Sequence, residues 1–200
     1  PARGGAPLTR SAVERDELRA RSDLTRECVV RAGLPYQDAW EGAGELPREL
    51  HRKAAAVGLL GAAFPEHAGG GGGDLRTMLT ITEALHEAGA AGGVQASLFT
   101  CGISVPHIIA AGDQAQIDRW VVPTLAGELI GSRGITEPRG GSDVGHLRTT
   151  ARRDGEEFVV NGAKTYITSG CRADFVVTAV RTGGRELRGA RGVSLLVIEA

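Results

Sequence analysis

The apolar pattern of this chain changes period once, near Gly131. Before that point apolar residues recur at helical spacing. After it they alternate, or come in short runs between turn residues. One element cannot satisfy both periods, so the sequence predicts a helical part followed by a β part. The expected class is α+β: an N-terminal all-α domain over residues 1–130, then an antiparallel β domain over residues 131–200.

In the helical part, Ser11-Ala12-Val13-Glu14 has capping-box form. It opens a helix to about Val30 with a thin apolar stripe of Val13, Leu18, Leu24 and Cys28, which predicts a half-exposed helix. Pro47 starts a second helix with Leu50, Ala54 and Val57 on one face, ending near Gly58 or Gly61. Asp74 caps a third, with Leu75, Met78, Leu79 and Leu85 expected on its buried face. Gly93 to Ala111 is almost uncharged and reads as one buried central helix holding Pro106. Asp113-Gln114-Ala115-Gln116 is a further capping signature, leading through Trp120 toward Leu125.

In the β part, Leu147 to Arg153 reads as a strand, Asp154-Gly155 as a hairpin turn and Glu156 to Val160 as the return. Asn161-Gly162 reads as a second hairpin turn into a strand from Ala163 to Thr168. Two more strands are expected at Asp174 to Arg181 and Gly192 to Glu199. A sheet that stops on a strand exposes an edge, which leads to the expectation that the natural protein continues past Ala200.

Composition removes several function classes. The net charge is −1, and the arginines are scattered, so nothing favours nucleic acid or an anionic membrane. Aromatic residues are only 4 %, too few for stacking platforms. The five histidines never take metal-ligand spacing, so no metal site is expected. No apolar run approaches the length of a membrane span. Three distant cysteines, Cys28, Cys101 and Cys171, predict a reducing compartment, the cytoplasm by default.

Three segments have the residues for chemistry. Gly69 to Gly73 is a glycine run, but Asp74-Leu75 follows it where a phosphate loop needs Lys-Ser or Lys-Thr. A mobile interhelical loop is the expectation. Thr136-Glu137-Pro138-Arg139-Gly140-Gly141-Ser142-Asp143 combines a fixed proline with glycines that permit close approach. Its successive N–H groups suit either an anion-binding nest or a plain turn. Asn161 to Gly170 contains Lys164, Tyr166 and Thr168, which share one face if the segment is a strand. A cation, a ring and a hydroxyl in line suit a planar polar ligand, or an ordinary solvent face.

Together, 25 positions apart, the last two segments resemble the acyl-CoA dehydrogenase family, with its T-E-P-x-x-G-S-D and N-G-x-K-x-[WFY]-I-T-[NS]-G elements. Gly58-Leu59-Leu60-Gly61, Pro65-Glu66, the glycine run and the stretch from Ala111 to Glu128 are similar to further family segments, so the resemblance spans roughly Glu45 to Glu199. It implies an N-terminal helical domain, a central β domain and a C-terminal helical bundle that is absent from this chain. It implies FAD as cofactor. Ile135 and Thr136 would bond the flavin pyrimidine edge, Gly141 and Ser142 the pyrophosphate, Tyr166 would pack on the ring, and Thr168 would bond near N5. Gln95 and Phe99 resemble the floor of the acyl pocket, where Phe99 would shorten the cavity.

The implied reaction is α,β-dehydrogenation of an acyl-CoA thioester: a carboxylate takes the α proton while the β hydrogen leaves as hydride to the flavin. The family's base is a Glu expected beyond Ala200, so no catalytic residue is assigned here and the chain alone is expected to be inactive. Glu137 and Asp143 are read as structural. An electron-transfer flavoprotein as acceptor, a role in fatty acid β-oxidation and a homotetramer or homodimer complete the resemblance. The alternatives are an acyl-CoA oxidase or flavin monooxygenase of the same fold, a non-catalytic subunit, or a thioester-binding or structural fragment.

Overall fold

A computed structural model describes residues 12–183, 187 and 189–200. Ser11, and with it the expected capping box, lies outside the described residues. Helix α1 (Ala12–Ala32) is followed by a 3-10 turn (Leu34–Tyr36) and α2 (Gln37–Ala43). Next come α3 (Arg48–Ala56), α4 (Leu75–Glu87), α5 (Gly92–Leu98) and α6 (Cys101–Ala111). Then α7 (Gln114–Gln116), a π-helical turn (Ile117–Val121) and α8 (Val122–Leu125) close the helical part. Strands β1 (Gly131–Gly134), β2 (Thr150–Asp154), β3 (Glu157–Asn161), β4 (Phe175–Arg181) and β5 (Val193–Glu199) form one sheet.

The order of helices then strands is as expected, and the sheet is mixed rather than wholly antiparallel. β4 is central. β5 lies antiparallel along its whole length, while β1 runs parallel to its first half, Gly131 opposite Phe175. β2 touches β4 only at Thr150 opposite Arg181, and otherwise pairs antiparallel with β3. Sequence alternation shows which face a strand presents, not which way its neighbour runs, so the parallel pair was not visible in it.

The helix ends follow their caps. Asp74 accepts from the Arg76 and Thr77 amides, and the Thr77 hydroxyl answers the Asp74 amide. Asp113 and Gln116 make the same reciprocal pair at 2.8 and 3.0 Å. Pro47 is the residue before α3 and not its first turn. α2 was not expected; its seven residues hold one large apolar group, Trp40, too little for a periodic signal.

The buried face of α4 differs from the expected one. Thr77, Ile81, Ala84 and Leu85 are buried, whereas Leu75, Met78 and Leu79 are exposed. Both sets fit a helical period. The small Thr77 and Ala84 let α1 come close, and ion pairs Arg76–Glu14 and Arg26–Glu87 fix that side. The central apolar stretch is two helices, not one, bent at Phe99–Thr100. By length and composition Gly92–Ala111 matches a membrane span, contrary to expectation. Val94, Leu98, Val105 and Ile108 nevertheless sit in the protein core.

The sheet meets the helices through alternate residues of β4. Phe175 and Val177 enter a cluster with Val105, Ile108 and Val121, and the Trp120 ring lies 5.0 Å from that of Phe175. Val176 and Thr178 therefore face the other way, toward the segment after β3.

Candidate functional site

The segment 163–168 is not a strand. The hairpin turn falls at Gly155-Glu156, one residue later than expected, and Gly162 makes no hairpin. A Cβ at Gly162 would sit 2.5 Å from the Thr149 hydroxyl and 2.7 Å from its Cα. That glycine serves close approach of two backbones, not a tight turn. The shared face of Lys164, Tyr166 and Thr168 therefore does not exist. Lys164 turns inward, its side chain 11 % exposed, while Tyr166 is 92 % exposed.

The two motifs are joined by a buried network centred on Glu137. Its carboxylate accepts from the Arg148 amide (2.7 Å), the Thr149 amide (2.8 Å), the Thr149 hydroxyl (2.6 Å) and the Lys164 ammonium (3.0 Å). Burial alone would raise its pKa; the Thr149, Arg148 and Lys164 hydrogen bonds outweigh that and lower it to about 2. Lys164 also donates to the Ile135 carbonyl at 3.1 Å, and the Thr165 amide donates to the Thr136 carbonyl at 2.9 Å. Residues 135–137 are thereby stitched to residues 164–165.

Of the expected cofactor residues, Ile135 and Thr136 belong to this knot. Gly141 abuts Thr136: a Cβ there would meet the Thr136 side chain at 3.2 Å. Gly140 has open space above it, and Gly141 and Ser142 are exposed. The Ser132 hydroxyl donates to the Thr168 carbonyl at 2.5 Å, which ties that residue to β1. Tyr166 and Ser169 hold positive φ, +55° and +59°, a cost of order 1–3 kcal/mol each for non-glycine residues. The Ser169 hydroxyl is buried without a partner among the described residues. A cavity of about 540 Å³ is lined by Lys164, Thr165, Tyr166, Ile167 and the Val176–Thr178 face of β4. Thr136, Ser142 and Thr168 do not line it. A larger cavity, about 610 Å³, opens on the opposite face of the sheet among α6, Trp120 and β5, and carries none of the expected residues.

FAD fits this donor set. The Thr136, Ser142 and Thr168 hydroxyls make no hydrogen bond among the described residues, and the Tyr166 ring is exposed on a residue of positive φ. A glycine-serine turn with open space suits a pyrophosphate. By contrast, the glycine run Gly69–Gly73 has no amides to offer. Those amides donate to the carbonyls of Glu66, Pro65, Gly61, Phe64 and Ala62 in turn. A Cβ at Gly70 would lie 2.2 Å from the Phe64 carbonyl oxygen. The run is a packed strap rather than a mobile loop.

Gln95 and Phe99 lie in the helical part. The Gln95 amide meets His86 Nε2 at 3.0 Å, while His86 Nδ1 meets the Ala90 carbonyl at 3.0 Å. A carbonyl only accepts, so Nδ1 carries the proton. Phe99 is half-buried against two helical core clusters. Asp143 binds His146 Nδ1 at 2.8 Å on the surface.

One contact set had no local signal in the sequence. Arg48 of α3 grips Asp174 with both arms, at 2.8 and 2.9 Å, and also the Arg172 carbonyl at 2.9 Å. Asp174 accepts in addition from the Ile130 amide at 2.7 Å. Arg172 reaches back to the Leu46 carbonyl and to His51. This latch ties the helical part to the start of β4, directly after the Tyr166–Gly170 stretch.

Comparison with known proteins places both parts of the chain in one family. The acyl-CoA dehydrogenase N-terminal domain matches residues 15–128, and the acyl-CoA dehydrogenase middle domain matches residues 132–200. The chain is 38 % identical over 182 residues to the long-chain specific acyl-CoA dehydrogenase, mitochondrial, of Rattus norvegicus, covering 88 % of this chain and 42 % of the relative. The chain thus spans less than half the length of that curated relative. A crystal structure of a putative acyl-CoA dehydrogenase from Mycobacterium smegmatis superposes with a TM-score of 0.89 at 60 % identity, over 95 % of this chain and 48 % of that one. A glutaryl-CoA dehydrogenase from the same organism, solved in complex with FADH2, superposes with a TM-score of 0.81 at 26 % identity, over 92 % and 45 %.

Proposed function

Since this chain belongs to the acyl-CoA dehydrogenase family, we propose that it holds FAD for the α,β-dehydrogenation of an acyl-CoA thioester. The observation that carries the reading is the knot at Glu137, which brings the two motif segments together; the hydroxyls of Thr136, Ser142 and Thr168 are unengaged among the described residues. When bound, FAD supplies the two-electron acceptor for the β hydrogen. The chain's own residues bind and orient it. The Ile135–Thr136 peptide and the Thr136 hydroxyl would take the pyrimidine edge, Thr168 would donate to the flavin, and the Tyr166 ring would pack against it. Gly141 and Ser142 hold the pyrophosphate at an exposed turn.

Glu137 does not serve as the base. A group held at about 2 is a poor proton acceptor near neutral pH, and four donors already occupy its oxygens. No residue of this chain is assigned as the α-proton acceptor. An electron-transfer flavoprotein as oxidant, a homo-oligomer of two or four copies, a place in β-oxidation and a reducing compartment belong to the same proposal.

The test is flavin affinity in the whole protein. Ser142→Ala and Thr168→Ala each remove one hydrogen bond to the cofactor, so each raises the FAD dissociation constant about tenfold. Unchanged affinity in both variants contradicts the assignment. Reoxidation of the reduced flavin separates the alternatives: fast reaction with oxygen marks an oxidase or monooxygenase.

A further inference from the structure

We propose that Lys164 is a positioning residue for the flavin's pyrimidine edge, acting through the Ile135–Thr136 peptide; this rests on the flavin reading above. The Lys164 stem runs past Gly134, where a Cβ would lie 3.5 Å from Lys164 Cγ and 3.2 Å from Val176 Cγ1. Gly134 leaves room for that path. The ammonium then meets the Ile135 carbonyl at 3.1 Å and Glu137 at 3.0 Å, both side chains of the ion pair being about nine-tenths covered.

The Ile135 carbonyl and the Thr136 N–H belong to one peptide unit. A cation on the carbonyl oxygen draws electron density toward it and makes the N–H a stronger donor. It also fixes the rotation of that peptide plane, since Thr165 holds the next carbonyl at 2.9 Å. Glu137 neutralises the ammonium, so the device delivers direction and polarisation with no net charge at the site. Lys164 and Tyr166 are two residues apart, which couples the peptide that meets the flavin edge to the ring that covers its face. The Ile135 carbonyl and the Glu137 carboxylate take two of the three ammonium N–H groups, so Lys164 acts on a ligand chiefly through the peptide it holds.

Four variants of the whole protein, prepared without flavin and titrated with FAD, test this: Lys164→Arg, Lys164→Met, Glu137→Gln, and Lys164→Met with Glu137→Gln. Lys164→Met leaves a buried carboxylate without its cation and is expected to melt earlier. The double variant removes that penalty and melts above Lys164→Met, although it still lacks the carboxylate that Arg148 and Thr149 bond. Its FAD dissociation constant nevertheless stays about tenfold above wild type, and the visible spectrum of its bound flavin is shifted. Lys164→Arg keeps a cation at the carbonyl and restores part of the affinity. Wild-type affinity and spectrum in the double variant would overturn the proposal, because the pair would then serve folding alone. Failure of wild type to bind FAD would overturn the flavin reading itself, a result separable from the first.

Discussion

Glu137 is the residue on which the site turns, and its chemistry gives a signed pH dependence. Its folded pKa, about 2, lies below the ordinary carboxylate value of 4.5. A depressed carboxylate stabilises the fold above its unfolded pKa and loses that contribution as pH falls through 4.5 toward 2. The size is roughly 3 kcal/mol at neutral pH. Urea unfolding of wild type and Glu137→Gln is therefore expected to differ by about that much above pH 5 and to converge near pH 2. A constant gap across that range would refute the network. The sequence showed Glu137 as a structural member of its motif. It did not show the partners, because Arg148, Thr149 and Lys164 reach it through the fold and not through spacing.

At the scale of elements, glycines show where sequence rules held and where they failed. Gly70 was read as part of a loose connector, yet its Cα faces the Phe64 backbone at a distance that admits no Cβ. Gly70→Ala must displace the strap and is expected to cost about 1–3 kcal/mol or more. Gly140→Ala meets nothing within 4 Å and is expected to leave stability within about 0.5 kcal/mol of wild type. Equal melting temperatures for the two variants would contradict the packed strap. The same reasoning explains the misread stretch at 163–168. Its alternation of side chains imitates a strand, but its hydrogen bonds go to Thr136, Ile135 and Glu137, and Tyr166 and Ser169 take left-handed φ. Capping boxes were legible because both partners lie within one turn. The buried face of α4 was not, since two apolar stripes competed and only packing against α1 chose between them.

For the whole molecule, the latch from Arg48 to Asp174 joins the helical and β parts across 126 positions of sequence. Burial raises the Asp174 pKa, and the Arg48 fork with the Ile130 amide overcomes it, so the carboxylate stays ionised. Arg48→Ala removes three charge-assisted bonds, two to Asp174 and one to the Arg172 carbonyl, and is expected to destabilise by roughly 1–3 kcal/mol. His51 adds an acid-sensitive element beside it. Burial, and then Arg172, lowers its pKa from 6.5, so its neutral form stabilises the fold above that value. Stability falls as pH drops below 6.5, when the ring must charge next to a guanidinium. The melting temperature of wild type should drop more between about pH 7.5 and 5.5 than that of His51→Gln; parallel curves would exclude the effect. The central claim concerns the site that this latch steadies. Its most direct measurement is anaerobic addition of a saturated acyl-CoA to the whole flavin-loaded protein, followed by visible absorbance and product mass. The account predicts bleaching of the flavin with one enoyl-CoA formed per flavin reduced. A flavin that stays oxidised with short, branched and long acyl chains alike would contradict it.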